Sequence, residues 1–398
     1  MGMSTRILCF LVIAGCLPAV ITPAHAVPVF ARKYGFSCTM CHSSYPRLND
    51  FGQRYRNNGY QLPGREENEQ TVLDGPAPFA GRTNFGYNRD RFRNTPKAQN
   101  VNELQVGGLD ILSAGLVKQN IGYFLIYLPE IRGSRGLAAQ SGTLEMANVV
   151  FSHVTSLNLN ARVGRFEGAW LPYSAKRLLT IAPYEIYDFT GPSGLSLAAT
   201  QTGVELSGGT RSGLRYGAGW VDGSTTNTSS DAPSDLYLRA VKVFGPGEGQ
   251  TAGQRLGAVA YFGEARPADA LLANERHSLN RWGLDAAVNL REWNFDLQYL
   301  RGSDDAALAG TPGDYVFSGG FLQAMYLPST KWVGVARYDL VNTPDGPGAD
   351  IKRWTVAGRY YLADNVAWHT EYSRRTVDLF GTSQAKEDFF TTRIDWAF

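Results

Sequence analysis

Cys38-Thr39-Met40-Cys41-His42 sets two thiols three positions apart, with an imidazole directly after the second. This C-x-x-C-H order suits covalent attachment of a c-type haem. The two thiols add to the two vinyl groups of one porphyrin edge, and the adjacent imidazole is delivered beneath the iron as proximal ligand. Other chemistries also use paired cysteines. A thioredoxin-like pair sits at the start of a helix inside a βαβ pattern, and no such pattern surrounds Cys38. A structural zinc site needs four ligands, and no second cysteine pair follows Cys41. A disulfide between the two thiols is the alternative that stays open. Cofactor binding is therefore assigned to Cys38, Cys41 and His42, with one covalent haem c and His42 on the iron.

The leader sets the compartment in which such a haem is loaded. Arg6 precedes an apolar run from Ile7 to Gly15, and Ala24-His25-Ala26 offers the small-x-small pattern of signal-peptidase cleavage. A signal peptide over 1–26 predicts an exported chain that loses Cys9 and Cys16. A rival cut before Cys16 is suggested by Ile13-Ala14-Gly15-Cys16, which reads as a lipoprotein box. Residues 27–78 then form a monohaem cytochrome segment. Within it the residues 45–59 read as one helix: Ser44 is placed to cap it, Pro46 fits its first turn, and Asn57-Asn58-Gly59 gives a left-handed stop. Leu48, Phe51 and Tyr55 fall on one face, as a porphyrin-facing stripe or an ordinary core face. A stretch this short buries little core and must lean on something larger.

That larger body is β. The chain of 398 residues is 43% hydrophobic, 19% charged and 12% aromatic with a formal charge of +2, which excludes a disordered chain and gives no basic field for nucleic acid. No window beyond the leader is apolar for the roughly 18 positions that a spanning helix requires. From Phe79 onward, short segments alternate with period two. Trp332, Gly334, Ala336, Tyr338 and Leu340 interleave with Val333, Val335, Arg337 and Asp339. About sixteen such segments run from 79–92 to 387–398, joined alternately by tight turns and by long Gly-, Pro-, Ser- and Asp-rich connections. Residues 245–253 are long where a tight turn is expected. This pattern predicts a transmembrane antiparallel β-barrel over 79–398, apolar side to lipid, with an aqueous lumen wide enough to hold the cytochrome segment. The last strand ends in Trp396-Ala397-Phe398, and a terminal aromatic resembles the assembly signal of outer-membrane barrels.

The barrel must also supply any sixth iron ligand, because 27–78 holds no second His and its one Met, Met40, is locked inside the attachment loop. With the tight turns in the periplasm, Met325 ends the twelfth strand and His369 begins the fifteenth, both pointing inward near the periplasmic mouth. These two are the candidate distal ligands, ahead of His153 beside the tight turn at 155; His277 falls on an outer loop. Lumen-lining residues without iron contact are the alternative for each. Loop carboxylates Glu185, Asp188, Asp304, Asp305, Asp345 and Asp350 are candidates to attract a hard cation such as Fe(II), or are simply solvated. Arg337, Arg353, Arg359 and Arg393 would suit anion passage, or form an ordinary wet face.

Phe30-Ala31-Arg32-Lys33-Tyr34-Gly35, the C-x-x-C-H, Tyr45-Pro46-Arg47-Leu48-Asn49-Asp50-Phe51-Gly52 and Asn58-Gly59-Tyr60, leading into a barrel, together resemble the fused monohaem cytochrome–porin family. Its best-known members are outer-membrane iron oxidases. The resemblance implies electron transfer from extracellular Fe(II), or another small reductant, to a periplasmic c-type cytochrome or similar carrier. Those oxidases carry Ala-x-Pro before the first cysteine where this chain has Gly35-Phe36-Ser37, which keeps a conduit for another donor or acceptor in play. A diffusion porin whose haem segment is a plug or sensor is the rival reading, and a periplasmic β protein with attached haem is a third.

Overall fold

The computed structural model describes residues 29–62, 69–75, 77–94, 100–134, 136–155, 159–223, 234–245, 254–266, 276–310, 312–343, 349–379 and 383–398. The leader read over 1–26, the connection at 246–253 and Asp345 lie outside them. Two short helices, α1 (Val29–Tyr34) and α2 (Asp50–Asn57), precede the barrel. Its strands are β1 (Phe79–Arg93), β2 (Val101–Val106, continued by Asp110–Lys118), β3 (Ile121–Leu128), β4 (Thr143–Thr155), β5 (Leu159–Phe166), β6 (Gln201–Gly209), β7 (Leu214–Val221) and β8 (Asp235–Phe244). The second half comprises β9 (Gln254–Ala265), β10 (His277–Leu290), β11 (Trp293–Asp304), β12 (Tyr315–Ser329), β13 (Trp332–Asn342), β14 (Ala349–Ala363), β15 (Val366–Leu379) and β16 (Ser383–Ala397). One-turn helices α3 (Glu185–Asp188) and α4 (Ala306–Ala309) lie in connections.

Each strand pairs antiparallel with its chain neighbours, and β16 closes on β1 from Lys386 opposite Arg93 to Ala397 opposite Arg82. Sixteen strands therefore form a closed barrel among the described residues, as the alternation predicts. Two-residue turns at 119–120, 291–292, 330–331 and 364–365 mark one end, and long connections mark the other. The second strand departs from the reading: its ladder breaks over 107–109, where the Gln140 side chain replaces a strand partner by accepting from Leu109 N at 2.9 Å and donating to Leu109 O at 2.8 Å.

The period-two pattern resolves into an inside-out protein. Along β13 the outward Trp332 is 51% exposed, whereas the inward Arg337 is 1% and Asp339 0% exposed. Outward residues elsewhere are Leu236, Leu238, Leu284, Leu322, Trp354 and Val356, all exposed. Aromatics pair near the short-turn end, Trp293 with Tyr326 at 4.7 Å between ring centroids and Trp332 with Tyr360 at 4.5 Å. An apolar outer surface with aromatic ends is what lipid contact selects.

The lumen is not simply aqueous, which corrects the reading. The connection 167–200 folds inward, and Trp170, Tyr184, Ile186, Tyr187, Leu195 and Leu197 pack against wall residues Tyr237, Tyr261, Phe317 and Phe321. For this reason the sixth strand starts at Gln201 rather than at 195. The connection is pinned to the wall. Arg337 donates to Thr180 Oγ1 and to the Ala182 carbonyl, both at 2.8 Å, and Glu371 accepts from Ile181 N at 2.6 Å and Ala182 N at 2.8 Å.

Candidate functional site

The segment carrying Cys38 sits in the short-turn mouth of the barrel as a plug. Arg47 donates to Asn294 at 2.7 Å and pairs with Asp296 at 3.0 Å; Tyr361 donates to the Tyr45 carbonyl at 2.6 Å; Asn160 donates to the Asn57 carbonyl at 2.8 Å. Arg215 ion-pairs with Asp50. On the opposite side Tyr60 stacks on Phe124 of β3 at 5.8 Å. Gly122 lies so close to the plug that a Cβ there would stand 1.9 Å from the Gly59 carbonyl oxygen. The short segment obtains from the barrel wall the burial that it cannot supply by itself.

Within the plug, 45–59 is not one helix. His42–Ser44 and Arg47–Leu48 form a miniature antiparallel hairpin with Pro46 in its turn, and the helix is α2, Asp50–Asn57. Asn49, not Ser44, is the cap. Its side chain accepts from Gly52 N at 2.9 Å and donates to the Thr39 and Met40 carbonyls at 3.2 and 3.0 Å. One amide thereby satisfies an orphan helix donor and two carbonyls of the attachment loop, which a serine hydroxyl cannot do. Leu48 falls outside the helix, and Phe51 and Tyr55 keep their shared face.

That face borders a cavity. Phe30, Tyr34, Phe36, Phe51, Tyr55 and Leu62 line it together with Cys38, Cys41 and His42, around a small volume of about 60 Å³. The lining is mostly aromatic and aliphatic, as in cofactor sites. Phe30 stacks on Tyr60 at 5.2 Å and meets Tyr55 edge-on at 5.0 Å, so the apolar wall is itself rigidly packed. Both cysteines are half-buried free thiols, and burial pushes each up to about 11. Burial pulls His42 down to about 4, against the raising effect of the Pro46 carbonyl 3.2 Å from Nδ1. Two thiols and one imidazole on one apolar cavity fit a covalently held porphyrin better than a structural zinc ion, which would need four ligands. Among the described residues no group of three or more His, Cys, Asp or Glu is arranged to hold a metal.

Gly52 lets α2 approach the attachment loop. A Cβ there would stand 2.2 Å from the Cys41 carbonyl oxygen and 3.0 Å from Leu48 Cδ2. Gly52→Ala is expected to force helix and loop apart at a cost of about 1–3 kcal/mol. On the haem expectation drawn from the sequence, the ratio of haem absorbance to protein absorbance in purified material should then fall several-fold; an unchanged ratio would show that this contact does not set the loop.

Met325 and His369 both face inward near the short-turn end, fully buried. Met325 packs with Leu327, Val333, Val335, Ala357 and Tyr361, beneath Tyr45 of the plug, and its sulfur is contacted by Arg47. His369 places Nε2 3.1 Å from Glu371 Oε2, within the group that pins the inward connection. His153 is exposed at a bulge beside the tight turn, where its backbone N–H donates to Asn160 Oδ1 at 3.0 Å. His277 lies at the long-loop end, where β10 begins.

The proposed cation-attracting carboxylates are mostly committed, which corrects that reading. Glu185 is buried in the lumen between Arg353 at 2.6 Å and Arg375 at 3.0 Å, and Asp304 pairs with Arg281 at 2.6 Å. Asp350 accepts from Thr343 N, Asp305 caps α4, and Asp188 alone of the described set is exposed. The arginines read as a path for anions are paired too: Arg337 with Asp339, Arg353 with Glu185, and Arg359 and Arg393 with Asp395.

No family model and no curated protein matches the chain. Solved structures do. The anion-selective porin of Comamonas acidovorans aligns at a TM-score of 0.57 with 12% identity, covering 80% of this chain and 98% of that one. The outer-membrane channel DcaP of Acinetobacter baumannii aligns at 0.59 with 11% identity, covering 80% and 96%, and OmpF of Salmonella typhi at 0.56 with 10% identity, covering 80% and 97%. The barrel has the porin fold. Residues 79–398 are themselves four-fifths of the chain.

Proposed function

We propose that the protein is an outer-membrane electron conduit of the fused cytochrome–porin kind. In this reading a porin-fold barrel is closed at its periplasmic mouth by a segment that holds one c-type haem through Cys38, Cys41 and His42. The observation that carries the reading is the aromatic cavity onto which both thiols and the His42 imidazole open, inside a segment seated in the short-turn mouth. Short turns face the periplasm in barrels of this kind, so the plug is within reach of a soluble periplasmic carrier. The haem supplies one-electron transfer. The chain's own residues do the rest: the thiols tether, His42 ligates, the aromatic wall excludes water, and Asn49 fixes the attachment loop.

A cofactor at one mouth cannot alone bridge an apolar band of about 25 Å, so the external partner must enter the lumen. Extracellular Fe(II), free or complexed, is the donor that the family resemblance suggests. A second reading has its own support: the porin fold favours a diffusion channel in which the haem segment is a plug. Proteoliposomes with cytochrome c trapped on the plug side decide between them. Fe(II) added outside should reduce the trapped cytochrome; solute swelling without reduction would support the channel and overturn the conduit.

A further inference from the structure

A second, larger recess lies on the other side of α2. Phe51 and Tyr55 turn toward the attachment cavity, whereas Asp50, Gln53, Arg54, Arg56 and Asn57 line a chamber bounded by the wall from β5 to β10 and by the start of the inward connection. It holds about 870 Å³ and is open to solvent. Its rim includes 210–213, the tight turn between β6 and β7, so it opens at the same end as the plug.

Its charge is lopsided in a chain that is nearly neutral overall. Nine arginines line it (47, 54, 56, 162, 177, 211, 215, 239 and 255) against four carboxylates, those of Asp50, Glu167, Glu205 and Asp285. Most of the arginines are matched. Arg162 pairs with Glu205 at 2.9 Å, Arg177 with Glu167 at 3.0 Å, Arg239 with Asp285 at 2.5 Å, and Arg47 with Asp296 beyond the lining at 3.0 Å. Arg54 and Arg215 share the single carboxylate of Asp50. Arg56, Arg211 and Arg255 have no carboxylate at ion-pair distance among the described residues. Arg56 Nε has the Asn57 side chain at 3.4 Å as its partner among the described residues, and Arg255 lies over the Tyr173 ring at 5.7 Å. Burial, and after it the neighbouring Arg177 and Arg162, pull Arg56 down to about 10. A concave site with one surplus sign concentrates the field and draws in the opposite charge.

We infer that this chamber is a binding site for a small polyanion bearing carboxylate or other oxyanion groups, which enters from the short-turn end and is held by the guanidiniums of Arg56, Arg211 and Arg255. Planar guanidinium forks match such groups in two-point contact. Recesses walled by buried Arg162, Glu205 and Arg239 admit a small molecule, while a protein partner would meet only the rim. The site deepens the conduit reading by assigning a ligand class to the face of α2 opposite the haem cavity, and it stands or falls independently of haem.

Calorimetric titration of the detergent-solubilised full chain with citrate at low salt tests it. Saturable binding is expected, weakened by added NaCl and weakened about tenfold or more in Arg56→Gln/Arg255→Gln, since each charge-assisted bond is worth roughly 1.5–3 kcal/mol. Arg374→Gln, on an exposed Arg374–Asp388 pair away from the chamber, should leave it unchanged. Heat-modifiable gel mobility reports that each variant is folded. Should the first variant fail that check, Arg211→Gln/Arg255→Gln at the rim gives the same reading. Absence of saturable heat, or equal binding by wild type and the folded chamber variant, overturns the site. A colourless protein that still binds citrate would sink the haem reading alone.

Discussion

Replacing Cys38 and Cys41 together with serine is expected to abolish covalent haem completely while the barrel still folds. The wild-type chain, expressed with intact maturation machinery, should retain a haem stain after denaturing electrophoresis, because thioethers survive denaturation. The double variant should show none, yet still migrate faster unheated than heated. The two outcomes separate because the thiols lie in the plug, whereas closure of the barrel rests on the ladder between β16 and β1. His42→Ala is expected to behave differently: stain persists, and the absorption spectrum changes with the loss of the proximal ligand. A wild-type chain without stain would remove the haem from this protein altogether. Stain persisting in the double variant would place the attachment elsewhere.

Arg337→Met is expected to destabilise the barrel and open its lumen. This guanidinium pairs with Asp339 at 2.7 Å and donates to Thr180, Ala182 and Pro183 of the inward connection, at 2.6 to 2.8 Å, with Tyr184 beneath it. Neither Arg337 nor Asp339 meets solvent. Removing one member of such a pair leaves a buried carboxylate uncompensated, at a cost of about 3–5 kcal/mol. Three loop acceptors lose the Arg337 donor at the same time, the Ala182 carbonyl keeping only Thr180 Oγ1 at 2.9 Å. The unfolding temperature should fall, and single-channel conductance in planar bilayers should rise several-fold as 167–200 leaves the wall. A lower unfolding temperature with unchanged conductance would show that Glu371, which holds the Ile181 and Ala182 amides, suffices to keep the connection in place.

The parts of this protein that were legible in the sequence share one property: they depend on local period or spacing. Alternation along Trp332 to Leu340 reports which side chains face out whatever the strand's neighbours are, because the pleat alone decides it. The alternation of tight and long connections followed in the same way. The helix over 45–59 failed because two residue patterns competed for Ser44 to Leu48. The hairpin won since Asn49 could close the attachment loop only from a cap one turn later. Most of the carboxylates failed too. Nothing local reveals that Glu185, in the inward connection, meets arginines of β14 and β15, or that Asp304, at the end of β11, faces Arg281 of the adjoining strand β10.

The inward apolar positions carry the same lesson. Val333, Val335 and Met325 point to the side that the barrel pattern reserves for water, and they do so because Tyr45 and Leu179 cover them there. By itself the sequence determined the strand count and the handing of faces to lipid and lumen, both of which follow from backbone geometry. Only the tertiary structure decided what fills the lumen, which charges are neutralised and which arginines stay unmatched. Those outcomes depend on which strands and connections meet, as Arg47 meets Asp296 and Glu185 meets Arg353, and such proximity exists only once the cylinder has closed.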